Sequence, residues 1–390
     1  MLADVHAHYP MRVVNDLTPE TAADQMGRVR GRPRLRDKVR AIIVRVLGRF
    51  ISDRTPWSGY RITVEKLESG NVGLVFSALY RPFEEMDLMK PYGSAPESGY
   101  FPALVSDLEA VEAEVDAQDD AVIRVVHDRA ELDAAVDAGA IALVHAVEGG
   151  FHLGDTEAEI AANVADLAER GVAYVTLAHL FYRRVATNAP ALPFLPDPLY
   201  HRVFPQPKGE GLTERGIAAV EAMVEHRILI DLSHMDEDAF TETIALLDDE
   251  LDPQAQVPII SSHAGYRFGK QHYMLSQAQV GEIARRDGVV GLILAQHQLC
   301  DGITKRTKTF EESFGVICRH VDRIREITGS HRHVALGTDF DGFIKPTMGG
   351  LEDAASLAQL ETRLGELYGA DDAAALCSGN ALRVLRKVWS

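Results

Sequence analysis

Eight short apolar runs recur along this chain, separated by stretches of helical periodicity, and most carry histidine, glutamate or aspartate at their C-terminal ends. They cover residues 2–9, 71–79, 140–147, 173–178, 228–233, 257–262, 289–294 and 333–338. The first holds His6 and His8. Glu148, His179, His234, His263 and Asp339 close the third, fourth, fifth, sixth and eighth. Continuous apolar runs of this length read as strands buried on both faces, as in a parallel sheet. Helical periodicity lies between them, over Pro102–Asp116, Glu157–Arg170, Thr213 to near His226, from Ser276, and over Thr309–Thr328. The alternation specifies an α/β fold, and eight repeats match a (β/α)8 TIM barrel. An open doubly wound sheet is the competing arrangement. It leaves unexplained why chemistry-bearing residues gather at strand C-terminal ends, the face where a barrel collects its functional groups. No glycine-rich phosphate loop opens a helix after a strand, and no GxSxG elbow is present.

With 390 residues and 46% hydrophobic content, the chain reads as a single barrel domain. A mostly helical excursion over residues 11–70 follows the first strand, and helices close the C-terminus. Within the excursion, Arg28 to Arg49 is strongly basic, and Val39, Ile42, Ile43, Val46, Leu47 and Phe50 recur at helical spacing. This reads as an amphipathic helix packed on the domain, its arginines meeting an acidic surface. Docking on a membrane or a partner is the other reading. The net charge of -18 argues against nucleic-acid binding, which needs a positive footprint. No apolar stretch is long enough to span a bilayer, and strand-like sequence from Leu2 leaves no room for a basic leader. The expectation is a cytoplasmic protein. Cys300, Cys318 and Cys377 form no CxxC pair and read as reduced structural residues. The long loop Leu180–Gly211 is the kind that carries function.

Residues two apart on a strand face the same side, so His6 and His8 point together. Taken singly, each polar residue has a plain explanation: a hydrogen-bonded core histidine, or an aspartate capping a helix. Together they supply imidazoles and carboxylates, the donor set of zinc or a similar divalent ion. His6, His8 and Asp339 would hold one ion, His234 and His263 a second, and Glu148 would bridge them. The pair Gly149-Gly150 suggests a tight turn leaving room beside the Glu148 carboxylate. His145 has the opposite parity to Glu148 and reads as a packing residue.

The pattern resembles the membrane (renal) dipeptidase family, peptidase family M19, within the amidohydrolase superfamily. The resemblance covers nearly the whole chain. It rests on Val147-Glu148-Gly149-Gly150, Thr176-Leu177-Ala178-His179, Gly211-Leu212-Thr213, Asp231-Leu232-Ser233-His234, Ser262-His263, Gly337-Thr338-Asp339-Phe340-Asp341-Gly342 and Gly379 to Leu385. Relatives in the superfamily that bridge their metals with a carboxylated lysine carry it on the fourth strand, where this chain has none. The resemblance implies hydrolysis of a dipeptide amide bond at a binuclear zinc centre, with Glu148 and a hydroxide bridging the ions. It implies that Asp339 moves the proton from water to the leaving amine, that His179 stabilises the oxyanion, and that a C-terminal D-residue is tolerated. It also suggests a homodimer.

Two positions depart from the family pattern. The family has HxD on the first strand, where this chain has His6 and His8. One negative charge fewer predicts a more acidic bridging water or weaker retention of the second ion. After His263 the family places an arginine for the substrate carboxylate. Here His272 falls nearest that position, and Arg267 is the substitute; Arg183 and Arg184 are further candidates, with solvated loop charges as the plain alternative. A different small amide, such as an N-acyl amino acid or a cyclic amide, is the competing substrate class. A non-catalytic barrel acting through the basic helix is a third possibility.

Overall fold

The computed structural model describes residues 1–14, 59–86, 90–119, 121–193, 195–342, 344 and 346–389. The basic stretch 28–49 lies outside these residues. Nine strands are described: β1 (Leu2–Ala7), β2 (Val72–Leu79), β3 (Ile123–Val125), β4 (Ile141–Glu148), β5 (Tyr174–Thr176), β6 (Leu229–Asp231), β7 (Ile259–Ala264), β8 (Val289–Leu292) and β9 (Val334–Leu336). Every pairing between them is parallel. The order runs β2-β1-β9-β8-β7-β6-β5-β4, and a direct β2–β4 pairing closes the ring. The result is an eight-stranded (β/α)8 barrel. The short β3 pairs with the start of β4 at Ile141, Ala142 and Leu143. Three residues with one fully buried apolar side chain leave no period to read, which is why the sequence showed only eight runs.

Helices between the strands start where side chains satisfy their free N–H groups. Thr156, Ser276 and Thr309 form capping boxes with Glu159, Gln279 and Glu312, and Thr213 accepts from the Gly216 N–H. Each such cap is worth about 1 kcal/mol. The helix at Phe310–Thr328 stops at Gly329, whose φ of 77° is left-handed, a conformation glycine adopts without steric cost.

Side chains divide cleanly between two cores. Ala3, Val5, Leu74, Phe76, Ala142, Val144, Ala146, Tyr174, Leu229, Ile260, Val289 and Ala335 fill the barrel interior. Ala381, Leu382, Val384, Leu385 and Val388 of the last helix, Asn380–Val388, pack against them. Asn380 anchors that helix by donating to the carbonyls of His331 and Val334, where β9 begins. The closing motif Gly379–Leu385 therefore plugs the floor of the barrel, opposite the end where the polar residues lie. Outward-facing residues such as Val75, Leu143, Val147, Ile230 and Ile259 join the larger core under the surrounding helices. All three cysteines are buried and free, as expected. Among the described residues, no helix is long and apolar enough to cross a membrane.

Candidate metal centre

His6, His8, Glu148, His179, His234, His263 and Asp339 converge at the C-terminal mouth of the barrel, all buried. Glu148 is at the centre. Its Oε1 lies 3.3 Å from His6 Nε2, 3.3 Å from His263 Nε2 and 3.7 Å from His234 Nε2. Its Oε2 lies 3.4 Å from His8 Nε2 and 3.2 Å from His179 Nε2. Asp339 Oδ1 approaches His8 Nε2 at 3.1 Å and His6 Nε2 at 3.8 Å.

Simple alternation along the strands does not produce this arrangement. Val5 points into the barrel and Ala7 packs outside, so an uninterrupted β1 would turn His6 and His8 outward. A register shift between Asp4 and Ala7 reverses the parity and brings both inward. A second shift between Ser261 and Ala264 does the same for His263, which lies within β7 and not at its tip. It also drives the Ser262 carbonyl toward β8 and β9. A Cβ on Gly291 or Gly337 would sit 1.9 Å from that oxygen, so both positions require glycine. His234 and Asp339 have φ of 66° and 58°, a left-handed backbone that non-glycine residues adopt at a cost and that concentrates at functional sites. The residue that makes room for a site carboxylate is Gly342, where a Cβ would meet Asp339 Oδ1 at 2.0 Å. Gly149 serves a different purpose from the one its position suggested: a Cβ there would strike the Phe151 ring.

Hydrogen bonds behind the cluster fix which ring nitrogens carry protons. Asp231 accepts from Thr176 Oγ1, Ser233 N, Ser233 Oγ, Ser262 N and Ser262 Oγ, at 2.6–3.0 Å. Having donated its proton to Asp231, Ser262 Oγ can only accept, and it lies 2.8 Å from His263 Nδ1 and 3.2 Å from His6 Nδ1. Tyr174 Oη donates to the Val5 carbonyl at 3.0 Å and accepts from His6 Nδ1 at 2.7 Å. Both histidines therefore hold a proton at Nδ1 and turn Nε2 toward Glu148. This is how metal-binding histidines are oriented by their outer hydrogen bonds.

The donor set fits a divalent metal. His6 Nε2, Glu148 Oε2, His8 Nδ1 and His234 Nδ1 are buried without hydrogen-bond partners, which is costly unless another group completes them. His234 Nε2 and His263 Nε2 face each other at 2.8 Å. Burial, followed by the charge of neighbouring histidines, holds both well below the usual imidazole range, so both rings are neutral, the form that ligates metal. Burial alone would push the Glu148 carboxyl up, but His179, His6 and His8 outweigh it and hold Glu148 well below the carboxylate range. Burial opposes charging His179, yet Glu148 and Glu85 push it up to about 9. The carboxylates thus draw positive charge into the pocket. Among the described residues, three overlapping groups have the spacing to hold an ion: His6–His8–Glu148, Glu148–His234–His263 and His6–Asp231–His263.

The remaining residues singled out in the sequence lie elsewhere. Arg267 donates to the Met274 carbonyl at 2.7 Å, to Glu237 at 2.5 Å and to the His272 carbonyl at 3.2 Å. His272 is largely exposed, 3.8 Å from Glu237. Neither lines the cleft above the cluster. Arg183 is buried and donates to the Glu84 and Glu85 carbonyls and to Tyr100 Oη, so it is neither solvated nor turned to the cleft. Arg184 donates to the Gly93 carbonyl. His145 faces outward, 3.5 Å from Glu112, and stands apart from the cluster as its parity predicted.

Glu85 was not singled out in the sequence. It accepts from His179 Nδ1 at 2.9 Å, from Tyr80 Oη at 2.5 Å and from the Phe181 N–H at 2.8 Å, and so fixes the His179 ring. It sits just after β2 in the helix Pro82–Met86, which is too short to show a period in the sequence, and only its burial reveals it. Asp231 was visible as part of a motif, but its role as the hub of five donors was not.

Above the cluster opens a cleft of about 350 Å³ including its mouth. It is lined by His8, His179, Leu180, Ala191, Leu192, Pro193, His234, Tyr273, Ile293, Gln298 and Asp339. Part of the loop after His179 therefore forms its wall.

Known proteins bear out the resemblance. Residues 52–390 match the family model described as membrane dipeptidase (peptidase family M19). An uncharacterised protein of the pqqA 5′ region from Klebsiella pneumoniae is 33% identical over 46% of this chain and 62% of its own length. Dipeptidase verJ of Clonostachys rogersoniana is 23% identical over 83% of this chain and 75% of its own. A crystal structure of a metallopeptidase from Rhodobacter sphaeroides, liganded with a phosphinate mimic of the dipeptide L-Ala-D-Ala, superposes with a TM-score of 0.70 at 19% identity, over 100% of this chain and 99% of that one. The likeness confirms the fold. With the family model matched across most of its length, the chain belongs to the membrane dipeptidase family, peptidase family M19.

Proposed function

We propose that this protein is a metal-dependent dipeptidase that hydrolyses the amide bond of small dipeptides, including those with a C-terminal D-residue. The observation that carries this reading is the fixed tautomer of His6 and His263, which turns two Nε2 atoms onto a central buried carboxylate beneath an open cleft. His6, His8 and Asp339 would hold one zinc ion, His234 and His263 a second, with Glu148 shared. When bound, zinc supplies Lewis acidity toward a scissile carbonyl and acidity to water at neutral pH.

The protein's own groups do the rest. Asp339 lines the cleft and takes the proton of the attacking water, then returns it to the leaving amine. No covalent intermediate is required. His179 has Nδ1 held by Glu85, which aims Nε2 at the cleft side of Glu148. There it donates to the carbonyl oxygen as negative charge develops. The apolar cleft wall shields this chemistry from bulk water, which strengthens each charge interaction inside.

The phosphinate dipeptide mimic bound to the Rhodobacter sphaeroides neighbour supports testing L,D substrates. Hydrolysis of a panel of L,L and L,D dipeptides by zinc-loaded protein, with that mimic as inhibitor, tests the reading. Turnover blocked by the mimic supports it, and a loaded protein inert on every dipeptide contradicts it. A different small amide is the second reading. It is favoured by one observation: among the described residues lining the cleft there is no arginine or lysine to hold a substrate carboxylate.

A further inference from the structure

Gln298 is buried on the cleft wall, and its Oε1 has no hydrogen-bond partner. A buried amide oxygen left unpaired costs on the order of 1–3 kcal/mol, and such groups in a binding cleft are commonly completed by the ligand. Gln296, two residues earlier, is the contrast. Its amide donates to the Thr307 and Thr347 carbonyls at 2.9 and 2.6 Å and accepts from the Thr307 N–H at 3.1 Å. Gln271 also ties the turn by donating to the His297 carbonyl. The short helix Gln296–Leu299 is therefore anchored on one side, while the second of its two buried glutamines, which lines the cleft, keeps a buried amide oxygen without a partner.

The rest of that wall is apolar. Leu180, Ala191, Leu192, Pro193 and Ile293 line it, and the charged or ionisable members are Asp339, Tyr273 and the three histidines of the cluster. Tyr273 Oη already donates to the His263 carbonyl.

We propose that Gln298 is a substrate-recognition residue. Its Oε1 accepts a hydrogen bond from the free amino end of the substrate, while the apolar wall takes an uncharged side chain. This deepens the dipeptidase reading and rests on it: the substrates are dipeptides with a free amine and an apolar residue, not N-acylated amino acids or charged dipeptides. A site built to pair a polar group discriminates against analogues that lack it, and a charged side chain against these walls would be desolvated without a partner.

The test is steady-state kinetics of the zinc-loaded protein on leucyl-alanine, glutamyl-alanine, lysyl-alanine and isocaproyl-alanine, which is leucyl-alanine with hydrogen in place of the amine. Wild type should prefer leucyl-alanine over each of the others by about tenfold or more in kcat/KM. Gln298→Met should raise KM for leucyl-alanine roughly tenfold with kcat within about twofold, and leave isocaproyl-alanine unaffected. Gln298→Glu keeps an acceptor oxygen and should recover part of the loss. A merely structural role would lower kcat and affect both substrates alike. Equal turnover of charged and apolar dipeptides by wild type overturns the inference even if neither variant folds. So does an unchanged KM in Gln298→Met, or Gln298→Glu binding worse than Gln298→Met. Failure of every substrate, with the protein fully loaded, overturns the dipeptidase reading and this inference with it.

Discussion

Asp231 and Glu85 touch no reacting atom, yet each decides what a site residue can do. Asp231 accepts the hydrogen bond of the Ser262 hydroxyl, and that fixes His263 and His6 with Nδ1 toward the serine and Nε2 toward Glu148. Asp231→Asn or Ser262→Ala should weaken zinc retention by about 10–100-fold. Competition with a chromogenic chelator measures it, and an unchanged melting temperature shows that the fold persists. Equal retention would mean that the tautomers are set in another way. Glu85 holds His179 from behind. His179→Asn should lower kcat by roughly 10²–10³ with KM nearly unchanged, the pattern of lost transition-state stabilisation. Residue types at strand ends were readable because a polar residue closing an apolar run is conspicuous. Glu85 was not, since the helix Pro82–Met86 that carries it after β2 is too short to show a period, and nothing in the sequence distinguishes it from the neighbouring Glu84. The arginines show the same limit from the other side. Arg183 and Arg267 are cations near a site in sequence, but their guanidinium groups are committed to backbone carbonyls.

Elements carry the site through irregularity as much as through repetition. The strands β1 and β7 both shift register where they deliver the candidate ligands His6, His8 and His263. Period-two alternation correctly placed His6 and His8 on one side together but could not show that Val5 lies on that side too. Bulges leave no signature in residue type beyond the glycines that accommodate them, here Gly291 and Gly337. Strand lengths were overestimated for the same reason: β5, β6 and β9 have only three residues in the sheet, although apolar burial continues past them. The last helix was legible as helical but not as the floor of the barrel, because that depends on what its apolar face meets. Leu385 is fully buried in the interior core. Leu385→Ala should destabilise the protein by about 3 kcal/mol, read by urea unfolding, while zinc content per folded chain stays unchanged at the opposite end.

At the scale of the molecule, the direct pairing of the first strand, β1, with the last, β9, explains why candidate ligands from 333 positions apart in sequence, His6 and Asp339, stand side by side. Eight apolar runs sufficed to predict it. Stability should also depend on pH through groups far from the site. His320 Nε2 donates to the Leu299 carbonyl at 2.9 Å, and its Nδ1 accepts from the Tyr266 N–H at 3.0 Å. Burial pushes it down to about 4. A histidine depressed in the folded state takes up protons preferentially when unfolded. Its contribution is therefore present above about pH 6.5 and is lost as pH falls from there toward 4. Between pH 7 and pH 5 the loss should be about 2 kcal/mol, and His320→Gln should flatten that part of the profile.

The most direct test of the central claim is zinc-dependent hydrolysis of L-Ala-D-Ala by protein stripped with a chelator and then titrated with zinc. Metal-dependent dipeptidase action predicts no turnover in the stripped protein and recovery that rises with added zinc to a plateau at two ions per chain. Full turnover without metal, or none in the fully loaded protein, would contradict it.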